Sequence, residues 1–242
     1  MREGFGEARL VGSETEAITG IVSQDPANPW NALLTGRGRY LDDAKLILLW
    51  AEIVTAQARN AAEIATLLSD RYGTLAALLC VPERELATIA GIGQHLIPSL
   101  KVLHEAALRY NRARLDGEDV LSDEKKLLDY LTARLARETV EQFRIVFLTD
   151  TGRLISDEAQ ARGTVNHTPV YPREVARRAM ELQAASIVLV HNHPSGDPTP
   201  SDADMQMTRQ VQAATRAICI EVLDHYIIGN GRHVSFRALE IL

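Results

Sequence analysis

The residues with the clearest chemical potential are two histidines and an aspartate in the last quarter of the sequence. His191 and His193 flank Asn192 directly after an apolar run that ends at Val190, and Asp204 follows them. Residues i and i+2 of an extended chain point to the same side, so both imidazoles should face one pocket. Two imidazoles and one carboxylate supply three ligands and leave a fourth position for water, as in catalytic zinc sites. The spacing therefore predicts a metal site formed by His191, His193 and Asp204.

Ser201 and Asp204 also have a purely structural interpretation. Ser201 stands three residues before Asp204, which is the pattern of a helix N-cap with an acidic residue in the first turn. Taken alone, this pair predicts only a capped helix, and a lone His-x-His is often simply hydrogen-bonded at a strand end. The two patterns in this order, directly after an apolar run, favour metal ligation.

The second half of the sequence has the alternating pattern of a mixed α/β domain. Apolar, β-branched runs predict strands, and the segments that begin near Pro172 and Ser201 predict helices. The predicted strands cover residues 143–148, 154–155, 186–190, 218–223, 226–228 and 234–236, and the predicted helices about 173–184 and 202–217. The Asn-Gly pair at 230–231 predicts a hairpin between the last two strands. This order places His191 at the tip of a core strand and Asp204 one turn inside a helix.

Several polar residues of this half have two open interpretations. Asp224 and His225 lie at the junction of two predicted strands, where they could orient a ligand imidazole or close a strand end. Asp197 could approach the metal from the loop after the histidines, or it could be a solvated loop residue. His167 could line a substrate groove, or it could be an ordinary turn histidine.

The first half of the sequence predicts a small all-α domain. Residues 1–40 are rich in Gly, Ser, Asn and acidic residues, which predicts a flexible leader with at most one docked segment around 30–34. Apolar residues recur at helical spacing through residues 41–114, which form the predicted helical domain. The polar stretch 113–123 is the predicted linker, and the α/β domain covers residues 122–242.

A glycine-rich segment in the helical half resembles a helix-hairpin-helix. Gly91 and Gly93 suit the tight turn of that motif, whose backbone N–H groups bind a DNA phosphate, and Lys101 follows in the second helix. Such binding would be independent of DNA sequence. Pro98 departs from the motif, since a helix former is usual there. A packing hairpin that never meets DNA is an equally good interpretation.

Composition limits the class of protein. The 242 residues carry a net charge of −6, which argues against a surface built wholly for nucleic acid. Cys80 and Cys219 are far apart in apolar surroundings, so we expect two buried free thiols rather than a disulfide. No apolar run reaches the roughly 18 residues that suggest a membrane span. The charged N-terminus lacks the apolar core of a signal peptide, so we expect a cytoplasmic protein that contacts no membrane.

The chemical motif resembles that of a known enzyme class. His191-x-His193-Pro, six further residues and then Ser201-x-x-Asp204 is similar to the motif of the JAB/MPN (JAMM) metallopeptidases. The bacterial RadC family is the closest resemblance, covering residues 122–242 well and the helical half more loosely. Its similar segments are residues 163–167, 171–175, 191–196 and 222–225.

This resemblance implies an α/β (α+β) domain with a mixed sheet flanked by helices, and a zinc-dependent metallopeptidase that cleaves peptide or isopeptide bonds. It implies that Zn²⁺ activates a water, that a glutamate transfers the proton, and that Ser201 stabilises the oxyanion. Glu141 fits the position of the glutamate best, with Glu138 as the second candidate. A solvated charge is the alternative for either.

The family resemblance also supports a function of a different class. In that hypothesis the protein associates with DNA in repair or recombination, the zinc domain is a scaffold, and the helix-hairpin-helix binds DNA. The complete set of Glu141, Ser201 and three ligands favours hydrolysis, because a scaffold has no chemical need for all five.

Overall fold

A computed structural model describes residues 28–55, 58–89, 96–117, 119–162 and 170–242. The chain divides into two compact units, Met1–Lys101 and Val102–Leu242. Residues 1–27, which include most of the predicted leader, lie outside the described residues. In the part of the chain that the structure covers, no helix is long and apolar enough to cross a membrane.

The first unit is helical, as the sequence predicts. Its elements are α1 (Pro29–Leu34), a 3-10 turn (Gly38–Tyr40), α2 (Asp43–Val54), α3 (Ala58–Tyr72), α4 (Leu75–Cys80), α5 (Glu83–Leu86) and the start of α6 (Leu96–Ala113). The side chain of Asp42 caps α2 by accepting from the Lys45 amide, and Thr74 caps α4 through the Ala77 amide. Helix α1 is docked, since the indole of Trp30 donates to the carboxylate of Glu52 at 2.7 Å.

The second unit is built on one mixed sheet. Its elements are α7 (Glu124–Leu135), β1 (Gln142–Leu148), β2 (Leu154–Arg162), α8 (Pro172–Glu181), β3 (Ser186–Asn192), α9 (Asp202–Arg216), β4 (Glu221–Ile228) and β5 (His233–Ser235). Among the described residues the strand order is β2-β1-β3-β4-β5. Of the strand pairs in the described part of the chain, only β3–β4 is parallel, and α9 makes the crossover between these two strands. The predicted fold class, a mixed sheet flanked by helices, is confirmed.

Helices cover both faces of the sheet, which explains why two of its strands each contain four consecutive buried apolar residues, Ile145–Leu148 in β1 and Ile187–Val190 in β3. On one face, Val146 and Val188 pack with Leu131 of α7. On the other face, Phe147 packs with residues of α8 and α9 such as Ala179 and Val211. All seven residues of β1 and of β3 are buried. The end of β3 is therefore held from both sides by a tightly packed core.

Two sequence predictions need correction here. The two strands predicted at 218–223 and 226–228 are one strand, β4, and residues 218–220 form the turn that ends α9. Cys219 occupies this turn with φ of 59° and is exposed, so the prediction of a buried thiol is wrong there. Cys80 is half-buried, and neither Cys80 nor Cys219 is in a disulfide.

A buried ion pair joins the two strands at the edge of this sheet. The guanidinium of Arg144 forms a fork with the carboxylate of Asp157, with N···O distances of 2.9 and 3.0 Å. The hydroxyl of Tyr130 donates to the same carboxylate at 2.5 Å. The side chains of Arg144 and Asp157 are 4% and 2% exposed. Each charge therefore depends on its partner, because water cannot replace it.

Removing one member of this pair should strongly destabilise the protein. We expect Asp157→Ala to lower the free energy of unfolding by about 3–5 kcal/mol, because it leaves a buried guanidinium unpaired. Asp129→Ala, which breaks an exposed ion pair with Lys125, should cost less than about 1 kcal/mol. Urea denaturation measures both, and equal losses would contradict this account of the buried pair.

Candidate metal centre

Three segments of the second unit meet at the end of β3 and bring the predicted ligands together. His191 is the penultimate residue of β3, and His193 follows the last one. Asp204 comes from the first turn of α9. In the sheet, His191 lies between Phe143 of β1 and Ile227 of β4. The site therefore lies at the end of the sheet where β3 and β4 both finish.

The donor atoms of these three residues are grouped tightly. The Nε2 atoms of His191 and His193 are 3.0 Å apart. Asp204 Oδ1 lies 3.1 Å from His191 Nε2, and Asp204 Oδ2 lies 3.5 Å from His193 Nε2. Tetrahedral bonds of about 2.0–2.1 Å to zinc would put donor atoms about 3.3–3.4 Å apart. The spacing of the group thus fits one metal ion of this size.

The electrostatics of the group favour an ionised carboxylate. Burial raises the pKa of Asp204, but the neighbouring imidazoles of His191 and His193 outweigh this effect and hold that pKa far below its usual range. The hydrogen bond with Asp204 raises the pKa of His193 despite its partial burial, and the charge of Glu141 acts in the same direction. Protons therefore compete with a metal for His193, so metal affinity should fall as the pH falls.

The loop after β3 orients His193. The Nδ1 atom of His193 is 2.8 Å from the carbonyl oxygen of Asp197, so an Nδ1–H donor here leaves Nε2 free for a metal. The carboxylate of Asp197 accepts instead from the backbone N–H and hydroxyl of Thr199. Asp197 thus acts through its backbone. The interpretation of its side chain as a loop group fits better than an approach to the metal.

Two glycines let this loop pack closely against the turn between β4 and β5. Gly196 has φ of +83°, a conformation that side chains disfavour. A Cβ on Gly229 would stand 2.3 Å from the carbonyl oxygen of Gly196, so only glycine fits there. The predicted hairpin at 230–231 is present, and β4 and β5 pair on either side of it.

Ser201 and Asp204 form the predicted capping box. Ser201 Oγ accepts from the Asp204 amide at 3.2 Å, and Asp204 Oδ2 accepts from the Ser201 amide at 2.8 Å. The Ser201 hydroxyl also donates to Asp204 Oδ2 at 2.5 Å. Helix capping and metal ligation by Asp204 are therefore compatible, because the capping box holds the carboxylate of Asp204 beside the two histidines.

Glu141 lies near this group, next to the start of the neighbouring strand β1. It is half-buried, stands immediately before β1, and is close enough for its charge to raise the pKa of His193. Glu138 stands in the preceding turn, and its backbone carbonyl accepts from the amide of Asn192 at 3.4 Å. The geometry favours Glu141 over Glu138 as the candidate proton carrier.

Asn192, the residue between the two histidines, is a functional candidate that the sequence did not suggest. It is 1% exposed. Its Oδ1 accepts from the Gln142 amide at 2.9 Å, and its Nδ2 donates to the carbonyl oxygens of Val140 and Glu138 at 3.2 and 3.4 Å. These bonds hold the backbone on both sides of Glu141. A buried polar residue at the end of an apolar strand was the signal that could have identified it.

His225 and Asp224 have separate contacts. Both lie inside β4, so the interpretation that they close a strand end is wrong. His225 is fully buried and its Nε2 lies 2.8 Å from His191 Nδ1, while burial lowers its pKa well below the usual value. Asp224 points elsewhere and accepts from the hydroxyl of Ser235 and the amide of Arg237. Only His225 contacts a candidate ligand.

The helix-hairpin-helix prediction remains a prediction. Gly91 and Gly93 lie outside the described residues. Lys101 is described, and its ammonium group donates to the carbonyl oxygens of Leu79 and Val81. Those bonds anchor α6 to the end of α4, which gives Lys101 a structural role. His167 and the segment 163–167 also lie outside the described residues.

A mixed sheet with a His-His-Asp group at the end of a core strand defines a JAB-type domain. The family model described as "RadC-like JAB domain" matches residues 121–241. A UPF0758 protein of Rhodobacter capsulatus is 43% identical over 212 residues, covering 86% of this chain and 97% of the relative. A UPF0758 protein of Ruegeria pomeroyi is 43% identical over 208 residues, covering 85% and 91%. The chain belongs to the RadC family, which confirms the resemblance.

The metal site can be tested by elemental analysis. We expect the purified protein to hold about one zinc ion per chain, as a three-ligand site does. His193→Ala removes a ligand and should weaken zinc binding by more than about 100-fold. Loss of a residue that only hydrogen-bonds to a ligand typically costs about 10–100-fold. His233→Ala, at an exposed histidine of β5, is the matched control and should keep the metal. Equal zinc content in both variants would exclude this site.

The contacts of Asn192 give a second prediction. In Asn192→Ala the Gln142 amide loses its acceptor, so we expect its hydrogen exchange to become faster. Zinc content should stay near that of the wild type, because Asn192 offers no donor atom to the group. Hydrogen–deuterium exchange with mass spectrometry measures the segment 138–142. Unchanged exchange there would show that Asn192 does not hold it.

Proposed function

We propose that this protein is a zinc-dependent metallopeptidase that hydrolyses peptide or isopeptide bonds. The observation that carries the proposal is the grouping of His191, His193 and Asp204 with a half-buried glutamate beside them. Membership of a family whose domain is described as RadC-like JAB supports the fold that such chemistry would use. Among the described residues the group that could hold a metal consists of these three, and three protein ligands are typical of catalytic rather than structural zinc.

The ligand residues have distinct tasks in this proposal. The chemistry supplied by a bound zinc is Lewis acidity, which polarises a carbonyl and makes water a nucleophile near neutral pH. His191 and His193 provide neutral Nε2 donors, and Asp204 provides a carboxylate whose charge partly neutralises the ion. The ionised state of Asp204, held by its low pKa, suits this role.

Glu141 is the proposed general base and acid. From its place before β1 it would take a proton from the attacking water and return that proton to the leaving amine. The three hydrogen bonds of Asn192 to residues 138–142 support this role, since they fix the backbone that carries Glu141. A proton carrier must be held within hydrogen-bonding reach of the reacting atoms.

Ser201 is the proposed donor to the oxyanion. Its side chain is exposed at the start of α9, so a substrate can reach it. In this structure its hydroxyl donates to Asp204 Oδ2. Rotation of the hydroxyl about its Cβ–Oγ bond would direct the same hydrogen toward a tetrahedral intermediate, where it would stabilise the negative charge on oxygen.

Glutamine substitutions distinguish the two glutamates. We expect Glu141→Gln to lower kcat/KM by about 10²–10⁴-fold, because the amide cannot carry a proton. Zinc content should be unchanged, and Glu138→Gln should remain close to the wild type. Because the natural substrate is unidentified, new termini generated in a complex peptide library, detected by mass spectrometry, provide the assay. Cleavage by the Glu141→Gln variant at the wild-type rate would contradict the assignment.

A further inference from the structure

A chain of short hydrogen bonds runs behind the metal centre and joins three elements. The hydroxyl of Thr208, on α9, is 2.7 Å from the carbonyl oxygen of Asp204 and 2.7 Å from Nδ1 of His225. Nε2 of His225, on β4, is 2.8 Å from Nδ1 of His191, on β3. Thr208 is 2% exposed, His225 0% and His191 1%. Water is thus kept away from the two links that His225 makes, with Thr208 and with His191.

The positions of the hydrogens follow from counting donors. A hydroxyl has one hydrogen, and a backbone carbonyl can only accept, so the Thr208 hydrogen goes to the Asp204 carbonyl. Thr208 Oγ1 must then accept from His225, which places a hydrogen on His225 Nδ1. A charge on a fully buried imidazole is costly, so His225 is neutral and its Nε2 carries none.

The hydrogen bond between His225 and His191 determines the tautomer of His191. An unprotonated His225 Nε2 can only accept, so His191 donates its Nδ1–H to it. A neutral His191 then has its lone pair on Nε2, which is the atom that faces His193 and Asp204. If the chain ran the other way, His191 would carry its hydrogen on Nε2 and could not bind a metal through that atom.

We propose that Thr208 and His225 are positioning residues that hold His191 in the Nδ1–H tautomer required for metal binding. The proposal rests on the metal site of the proposed function, and it adds a connection between two ligands. The chain begins at the backbone of Asp204 and ends at the ring of His191. It therefore links the placement of α9 to the orientation of the imidazole on β3.

The test replaces the hydroxyl without changing the size of the side chain. Thr208→Val removes the acceptor for His225 Nδ1–H, and we expect it to weaken zinc affinity by about 10–100-fold, as losses of such outer contacts do. Thr208→Ser keeps the hydroxyl and should restore affinity close to that of the wild type. Zinc alone is the probe, in competition with a chromophoric chelator at fixed pH.

Thr215→Val is the matched control. Thr215 is also a fully buried threonine of α9, and its hydroxyl donates to the carbonyl oxygen of Gln212. Its loss should leave zinc affinity unchanged, even if it lowers thermal stability as much as Thr208→Val does. Equal zinc affinity of the two valine variants would overturn the positioning role. Absence of zinc binding by the wild type would overturn the proposed function, and this proposal with it.

A second measurement uses the unaltered protein and does not depend on the folding of a variant. Long-range ¹H–¹⁵N spectra of zinc-loaded, ¹⁵N-histidine-labelled protein distinguish the two imidazole tautomers. We expect His225 to be neutral with its hydrogen on Nδ1, and His191 to carry its hydrogen on Nδ1 as well. A hydrogen on Nε2 of His225 would contradict the proposed direction of the chain and overturn the proposal.

Discussion

A buried imidazole needs a partner for each ring nitrogen, and His191, at 1% exposure, cannot use water for either. One nitrogen faces His225 and the other faces His193 and Asp204. The contact with His225 requires β4 to lie beside β3, and the parallel pairing of these two strands places it there. The contact with Asp204 requires the start of α9 to lie at the end of β3. The arrangement of β3, β4 and α9 around the candidate metal centre satisfies both requirements at once.

The three consecutive residues at the end of β3 connect the site to three different parts of the fold. His191 contacts β4, Asn192 holds the segment before β1, and His193 contacts the backbone of the following loop at Asp197. Alternation along the strand explains this division, because Asn192 points away from the two histidines. The two histidines on one face of this strand end carry the candidate ligand atoms, and Asn192 on the other face holds the backbone beside Glu141.

The sequence was informative where the chemistry is local. The spacing of His191, His193, Ser201 and Asp204 predicted side chains that do lie together, since a strand end and a helix cap have fixed local geometry. The contacts of Asn192 and Thr208 could not be predicted, because their partners Gln142 and His225 are 50 and 17 residues away. Spacing along the chain carries no signal for such contacts.

Errors in the predicted elements have related causes. Asp224 and His225 interrupt an apolar run, so β4 was predicted as two strands. In the structure their polar groups are satisfied by Ser235 and by His191 with Thr208, and the strand continues. Cys219 was predicted as buried from its apolar neighbours. The turn that ends α9 gives it a positive φ and exposes its side chain.

Anomalous diffraction from crystals of the zinc-loaded protein, recorded on both sides of the zinc absorption edge, tests most directly whether one zinc ion binds His191, His193 and Asp204 and leaves a position open to substrate. We expect a single strong peak about 2.0–2.2 Å from both Nε2 atoms and from the carboxylate, with no fourth protein ligand. A peak elsewhere in the chain, or a fourth side chain that closes the coordination sphere, would contradict a catalytic metal centre.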